Sequence, residues 1–308
     1  MASKILSQNK PSKVKKTRSF KLYKSSASKR QTHSRLGNAF YLLILSAFGL
    51  FSMLPLFYSV ITSFKPLDEL LVFPPKFWVY SPTLANYLEL PGLLSGLRVP
   101  LSKYIFNSFF VAFTSTGLYV IIATMAAFVL SKSGIKKLKP VFLFIQYALL
   151  FNGFTLAIPQ YIIIAKSGMI DTYWAYILPG LASTMGVFLM KQYMEGSVPD
   201  VLLEAAEIDG AGPFRTFVQI VVPMVKPCVM TLILFYFSSS WAAAPGNTIF
   251  RETIKTLPAI MSQVTAAGIA RAGSAMAVTV IMMIPPIIVY FISQSNVLES
   301  MNSAGIKE

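Results

Sequence analysis

Long apolar stretches separated by short polar segments constrain the fold of this chain more than any other feature. A helix needs about 20 mostly apolar residues to cross the hydrocarbon core of a bilayer. Stretches of about that length lie at about 38–63, 104–130, 140–164, 173–190, 225–244 and 272–292. Only 13% of the 308 residues are charged, about half the share found in soluble domains. The pattern predicts an all-α, polytopic membrane protein with about six transmembrane helices.

The basic charge is concentrated at the N-terminus. The formal net charge is +15, and eleven of the 27 Lys and Arg residues precede residue 39. Residues 1–38 carry no acidic side chain, so we expect a disordered cytosolic tail that orients the first span, with contact to anionic lipid left open. We therefore expect no nucleic-acid partner. One cysteine (Cys228) excludes an internal disulfide, and one histidine (His33) gives no cluster for a metal site.

The distribution of Lys and Arg among the loops predicts the topology. We expect a first transmembrane helix at 39–63, an extracytoplasmic loop at 64–102, a membrane core at 103–293 and a tail at 294–308. Both termini are expected in the cytosol, because the basic residues are in excess on that side. The 64–102 loop also carries aromatic residues typical of membrane-interface anchors, namely Trp78, Tyr80 and Tyr87.

Several neutral polar or aromatic side chains fall within the predicted spans. Asn152, Thr155 and Gln160 interrupt the third span, and Trp241 ends the fifth. Either the third span is a Pro-kinked helix whose polar groups bond to neighbouring helices, or it lines a cavity. The two interpretations are compatible. These four side chains would suit an uncharged, hydroxylated solute, and we take them as candidates for a substrate pathway.

The stretch 197–227 mixes charge with helical periodicity. Ser197 and Asp200 have the spacing of a capping box, Pro199 suits a first helical turn, and Gly210 suits a left-handed C-terminal residue. Apolar residues then follow at the spacing of one helical face, namely Phe214, Phe217, Val218, Val221 and Val222. Pro223 would end this second helix. The pattern predicts two short helices joined by a glycine elbow. The acidic polar side favours a groove on a partner protein over a helix resting on the membrane surface, although both remain open.

This stretch resembles the EAA loop of ATP-binding-cassette importer permeases. The matching residues are Glu204-Ala205-Ala206, Asp209-Gly210-Ala211 and Ile220-Val221-Val222-Pro223, with Val222 where the family usually has Leu. The resemblance extends from about Asn107 to the C-terminus, and it is closest to the carbohydrate-type, maltose-transporter-like permeases. One departure is clear, because Trp241-Ala242-Ala243 stands where those permeases usually read W-N-D.

The resemblance implies a fold, partners and site residues. The fold would be that of a type I importer permease, in the plasma membrane of a prokaryote. Its partners would be a second homologous permease, two ATP-binding subunits, an extracytoplasmic solute-binding protein and membrane lipid. ATP and magnesium would bind to the partner ATPase and not to this chain, which would itself be no enzyme. The residues implied in ATPase coupling are Glu204, Ala205, Ala206, Asp209, Gly210 and Pro223.

The chain itself shows no source of energy for transport. It has no G-x-x-x-x-G-K-[ST] phosphate loop, and no ionisable residue lies in the middle of a predicted span. Ion-coupled carriers usually need such residues, although sodium coupling can use neutral oxygens. We therefore expect an importer permease for a sugar or oligosaccharide. The alternatives are an importer permease for another small polar solute and a secondary carrier.

Overall fold

Helices account for the apolar stretches of the sequence in this computed structural model. The structure describes residues 35–95, 99–151, 153–244, 246–266, 268 and 271–305, and these residues form helices and no strand. The all-α prediction is thus confirmed. Two parts of the predictions, the basic tail before residue 35 and Asn152, lie outside the described residues.

The helices are numbered in chain order. Their bounds are α1 Arg35–Ser63, α2 Leu67–Leu70, α3 Ala85–Leu88, α4 Leu90–Ser95, α5 Leu101–Lys132, α6 Lys139–Ala148, α7 Gly153–Lys166, α8 Trp174–Leu181, α9 Thr184–Ser197, α10 Asp200–Ile208, α11 Pro213–Thr216, α12 Val222–Met224, α13 Lys226–Trp241, α14 Leu257–Ala266 and α15 Ala272–Gly305.

Among the described residues, three helices are long and apolar enough to cross a membrane unaided. They lie within α1, α5 and α15, and the bent pair formed by Pro213–Met224 and Lys226–Trp241 would make a fourth. The predicted spans at 140–164 and 173–190 are each broken into two shorter helices. The first break precedes Gly153, not Pro159, and the second falls at Ala182 and Ser183. The count of six spans and the side of the termini remain predictions.

The chain divides into two compact units at the boundary between Ser52 and Met53. The described part of the first unit is the first two thirds of α1, whose apolar side chains are exposed. The second unit holds the rest of the structure. Within it, α5 is the central element because it packs against α8, α9, α13 and α14.

Helix α5 carries a buried cluster near each of its ends. Near its start, Tyr104 packs with residues of α13, α14 and α15, including Phe237 and Ile260. Nearer its end, Tyr119 and Ala127 pack with residues of α9 and of the 217–232 stretch. A helix of 32 residues is about 48 Å long, which exceeds the thickness of the hydrocarbon core. The two clusters therefore lie at different levels along α5.

One predicted interface anchor is instead part of the packed interior. The Tyr87 hydroxyl lies 2.8 Å from Ser63 Oγ, and its ring lies 5.5 Å from that of Phe64. Its neighbour Asn86 donates hydrogen bonds to the Ser63 and Lys65 carbonyls, both at 2.8 Å. These contacts tie the loop after α1 to the end of that helix. Trp78 and Tyr80, by contrast, are exposed.

Candidate functional site

The stretch around the Glu204-Ala205-Ala206 motif forms a helix, an elbow and a second helix, as the sequence predicts. Helix α10 ends in a Schellman arrangement, in which Gly210 N–H donates to Glu207 O at 3.0 Å and Ala211 N–H donates to Ala206 O at 2.9 Å. Gly210 has φ +76°, the left-handed conformation that glycine adopts without a steric penalty. The elbow therefore has a fixed geometry, set by two hydrogen bonds and one glycine.

The start of this stretch differs from the prediction. Ser197 is the last residue of α9 and not a helix cap, and Pro199 occupies the cap position of α10 without a side-chain hydrogen bond. A cation from α5 instead bonds to Val198, the residue that ends α9, and pairs with the first residue of α10. Lys132 Nζ donates to Val198 O at 2.6 Å and lies 2.7 Å from Asp200 Oδ1. The long Lys132 side chain is 6% exposed, so the bond fixes α10 to the end of α5.

Most of the motif faces outward. The exposed residues are Glu204, Ala205, Asp209 and Gly210. Ala206, by contrast, is buried. Large apolar side chains are exposed on the same stretch, among them Val201, Ile208 and Phe214. A surface that combines exposed carboxylates with exposed apolar side chains suits a protein groove, because apolar contacts supply affinity and charge supplies orientation.

The second half of the stretch does not form the single apolar face that the spacing predicts. Phe217 and Val221 are buried, but Phe214 and Val218 are exposed. A π-helical turn at Phe217–Val221 causes the difference, because its extra residue per turn shifts the side chains around the axis. Pro223 lies in the first turn of α12 and does not close the helix. The 79° bend instead comes between Met224 and Lys226.

A cavity of about 1070 Å³ lies between the helices of the second unit. Residues of α5, α7, α8, α9 and α13 and of the 243–250 segment line it. Gln160 is among them, as the sequence predicts, together with the hydroxyl-bearing residues Tyr119, Tyr236, Ser239 and Ser240. None of the described lining residues is ionisable at neutral pH. The cavity thus offers neutral hydrogen-bonding groups and aromatic faces.

Tyr119 organises the wall of this cavity. Its hydroxyl accepts a hydrogen bond from Gly186 N–H at 2.8 Å and donates to Ser183 O at 3.1 Å, so it caps the start of α9. Its ring stacks on Tyr236, with centroids 4.0 Å apart. Neither tyrosine is indicated by the sequence. Because the partners of Tyr119 lie more than 60 residues away along the chain, no local pattern could have indicated them.

The other candidate pathway residues lie elsewhere. Trp241 is 3% exposed, packs against Phe109 and Phe237, and donates its indole N–H to Met282 O at 2.9 Å. It therefore holds α13 to α15 and is not in the lining of the cavity. Thr155 is exposed and also lies outside the lining.

A polar network fastens the segment before α14 to the start of α5. Tyr104 donates to Glu252 Oε1 at 2.8 Å, and Asn107 donates to Thr253 O and Lys255 O at 2.9 and 2.8 Å. Burial raises the pKa of Glu252, but hydrogen bonds from Lys255, Tyr104 and Gln263 outweigh it, so the pKa lies below its ordinary value. This carboxylate therefore stays ionised and anchors the segment.

Asp171 fixes a second contact on the same side. Its carboxylate accepts hydrogen bonds from the N–H groups of Phe250 and Arg251 at 2.5 and 2.8 Å. The bond from the Arg251 N–H is the main cause that lowers the pKa of Asp171. These contacts lie at the Tyr104 end of α5, whereas Lys132 and α10 lie at its other end. The two polar clusters therefore lie at opposite ends of α5.

Comparison with known proteins identifies the kind of membrane protein. Residues 90–302 match the family model for the binding-protein-dependent transport system inner membrane component. The chain is 26% identical over 285 residues to the inner membrane ABC transporter permease protein YcjP of Escherichia coli, an alignment covering 91% of this chain and 99% of that protein. It is 32% identical over 200 residues to the sulfoquinovosyl glycerol transport system permease protein SmoH of Agrobacterium fabrum, covering 64% and 67% of the two chains.

The fold agrees with these sequence relationships. A chain from the crystal structure of a bacterial ABC transporter involved in the import of the acidic polysaccharide alginate superposes with a TM-score of 0.71 at 20% identity. The superposition covers 85% of this chain and 98% of the other. Because the family model covers more than half of the sequence, this chain belongs to the binding-protein-dependent transport system inner membrane components, the membrane permeases of ABC transporters.

Proposed function

We propose that this chain is one of two homologous permease subunits of an importer for an uncharged sugar or oligosaccharide. Two ATP-binding subunits would dock on the cytosolic side, and an external solute-binding protein would deliver the solute. The observation that carries the proposal is the exposed, acidic and apolar surface of α10, held rigidly to α5 by Lys132. The chain holds no phosphate loop of its own, so ATP and magnesium would act on the partner ATPases.

The contacts of α10 give a route from the ATPase to the cavity. Lys132 links α10 to α5, and Tyr119, thirteen positions earlier on α5, lines the cavity. That spacing corresponds to about 20 Å along a helix axis. Because Tyr119 also caps α9, a displacement of α10 would move α5 and α9 together. Coupling would thus be a rigid-body movement of packed helices around the cavity.

The cavity supports an uncharged solute. A sugar offers hydroxyl groups to neutral donors and acceptors and an apolar ring face to aromatic side chains, and the described lining supplies both without a charged group. One relative is named for sulfoquinovosyl glycerol and the structural neighbour for an acidic polysaccharide. An anionic solute would leave its charge unpaired in this cavity, at a considerable energetic cost. Another small, neutral polar solute is the second candidate, because the same groups would bind it.

Co-purification tests the coupling surface. We expect the wild-type chain to bring down a second permease and an ATPase from its native membrane, and Glu204→Lys to keep the permease but lose the ATPase. Asp68→Lys is the matched control, since Asp68 is also an exposed carboxylate but lies on α2, outside the 197–227 stretch. Retention of the ATPase by Glu204→Lys would contradict the proposed docking surface. Solute uptake without ATP would favour a secondary carrier.

Stimulated ATP hydrolysis tests the substrate class. The complete transporter in proteoliposomes, with its solute-binding protein, is expected to respond to neutral oligosaccharides and not to uronic-acid or sulfonated ones. A response confined to the acidic compounds would contradict the proposed solute and would leave the coupling surface untouched.

A further inference from the structure

The segment Leu71–Tyr80, here called the aromatic loop, is an exposed apolar surface that neither coupling nor transport explains. Its sequence is Leu-Val-Phe-Pro-Pro-Lys-Phe-Trp-Val-Tyr. Phe73 is 91% exposed and Trp78 is 68% exposed. Water-soluble surfaces rarely expose such side chains next to one another, so the aromatic loop requires a partner.

The aromatic loop is held in place at its base. The Glu69 carboxylate accepts hydrogen bonds from the N–H groups of Tyr80 and Ser81, the latter at 2.7 Å. Lys65 is buried and donates its ammonium group to the Lys76 carbonyl. Thr83 N–H donates to Phe64 O at 2.8 Å, which closes the segment. The exposed side chains are therefore presented by a fixed scaffold.

The position of Phe77 gives the depth of the aromatic loop. Its ring lies 6.0 Å from that of Tyr58 in α1. Tyr58 precedes the end of α1 at Ser63 by five residues, or about 7.5 Å along the helix. The loop therefore folds back beside the last turns of a membrane-spanning helix. Large apolar side chains on those turns, among them Phe57 and Val60, are exposed as well.

The charge of the aromatic loop also favours a lipid interface over a protein partner. Lys76 is its one ionisable group besides the tyrosine, and its ammonium lies 4.6 Å from the centre of the Tyr80 ring. Trp and Tyr are enriched where the hydrocarbon meets the headgroups, and a lysine there extends its ammonium toward the phosphates. A docking site for a soluble protein would need polar groups to orient that partner, and the loop offers few.

We propose that the aromatic loop is a membrane anchor that inserts Phe73 and Trp78 into the headgroup region of the bilayer beside the end of α1. Its partner is the lipid itself, with Lys76 facing the phosphates. The anchor would fix the end of α1 and the neighbouring Asn86 contacts relative to the membrane plane while other helices move. This proposal does not depend on the identity of the transported solute.

Spin labels on single cysteines in the full-length chain, reconstituted in phosphatidylcholine vesicles, test the proposal. Cys228, buried in α13, is first replaced by alanine, and labels are placed by Phe73→Cys and Trp78→Cys. Phe113→Cys, at an exposed site in the middle of α5, is the hydrocarbon control. Ile208→Cys, at an 87% exposed apolar site on the coupling surface, is the aqueous control.

The measurement is the accessibility of each label to oxygen, which concentrates in lipid, relative to a water-soluble nickel chelate. We expect ratios for Phe73→Cys and Trp78→Cys that lie several-fold above that of Ile208→Cys and below that of Phe113→Cys. A ratio equal to that of Ile208→Cys would place the loop in water and overturn the proposal. Nickel accessibility that falls only when the solute-binding protein is added would also overturn it, in favour of a protein partner.

Discussion

The Lys132 ammonium lies 2.7 Å from Asp200 Oδ1 and 2.6 Å from the Val198 carbonyl, and so joins the end of α5 to the start of α10. The two ends of the pair differ in environment, because the Lys132 side chain is 6% exposed and that of Asp200 is 75% exposed. The ion pair itself is therefore screened by water. The carbonyl bond accounts for most of the stabilisation.

This difference predicts unequal effects for the two partners. Lys132→Met keeps the apolar stem but leaves the Val198 carbonyl without its donor, and should destabilise the protein by about 1–3 kcal/mol. Asp200→Asn removes only the screened charge and should cost about 0–1 kcal/mol. Thermal unfolding of the purified variants measures both effects. A larger loss for Asp200→Asn would show that the ion pair, and not the carbonyl bond, holds α10.

Gly210 and Gly212 provide a matched pair within the elbow. An added methyl group would find free space at either position, but Gly210 has φ +76° and Gly212 has φ −67°. Gly210→Ala should cost about 1–2 kcal/mol of backbone strain. If the free elbow opens to relieve this strain, docking must restore it, and ATPase binding should weaken by roughly 5- to 30-fold. Gly212→Ala should bind as the wild type does. Equal affinities for the two variants would mean that the Schellman turn does not set the docking geometry.

Gly186 and Gly196 form a second pair on one helix. A methyl group at Gly186 would lie 2.2 Å from the Tyr119 hydroxyl, whereas one at Gly196 would meet nothing within 4 Å. Gly186→Ala should therefore displace Tyr119 and destabilise the fold by about 1–3 kcal/mol. Gly196→Ala should be neutral or stabilising by up to about 1 kcal/mol, since alanine favours helix. Chemical or thermal unfolding measures the stabilities of the two variants. Equal stabilities would show that the Tyr119 hydroxyl can be displaced from the start of α9 without a cost.

The sequence and the structure agree where local chemistry decides the conformation. Gly210 is an example, because a left-handed residue at a helix end favours glycine regardless of the rest of the fold. The contacts that the local sequence does not indicate depend on distant partners. Ser197 does not cap α10, because it belongs to the last turn of α9, whose final carbonyl at Val198 is bonded by Lys132 from another helix. Tryptophan is a residue type that can stack on a sugar ring, but Trp241 is held in the core by the Met282 carbonyl and two phenylalanine rings.

The hydrogen-bonded carboxylates of Asp171 and Glu252 predict a loss of stability in acid. The pKa values of Asp171 and Glu252 are lowered in the folded chain, so both carboxylates stabilise it at neutral pH. That contribution to stability is lost as the pH falls from about 4 through the lowered pKa values of the folded chain. We expect the melting temperatures of wild type and Asp171→Asn to differ at pH 7 and to converge in acid. A difference that grows in acid would contradict the assigned role.

Gln160 and Thr155 lie five residues apart on α7, and only Gln160 lines the cavity. If the solute crosses this cavity, Gln160→Leu removes a hydrogen-bonding group from its path and should lower transport about threefold to tenfold. Thr155→Val should leave transport unchanged, because its exposed side chain points elsewhere. Uptake of radiolabelled solute into proteoliposomes measures the difference, with ATPase co-purification confirming that both variants assemble. A larger defect for Thr155→Val would place the pathway on a different face of α7.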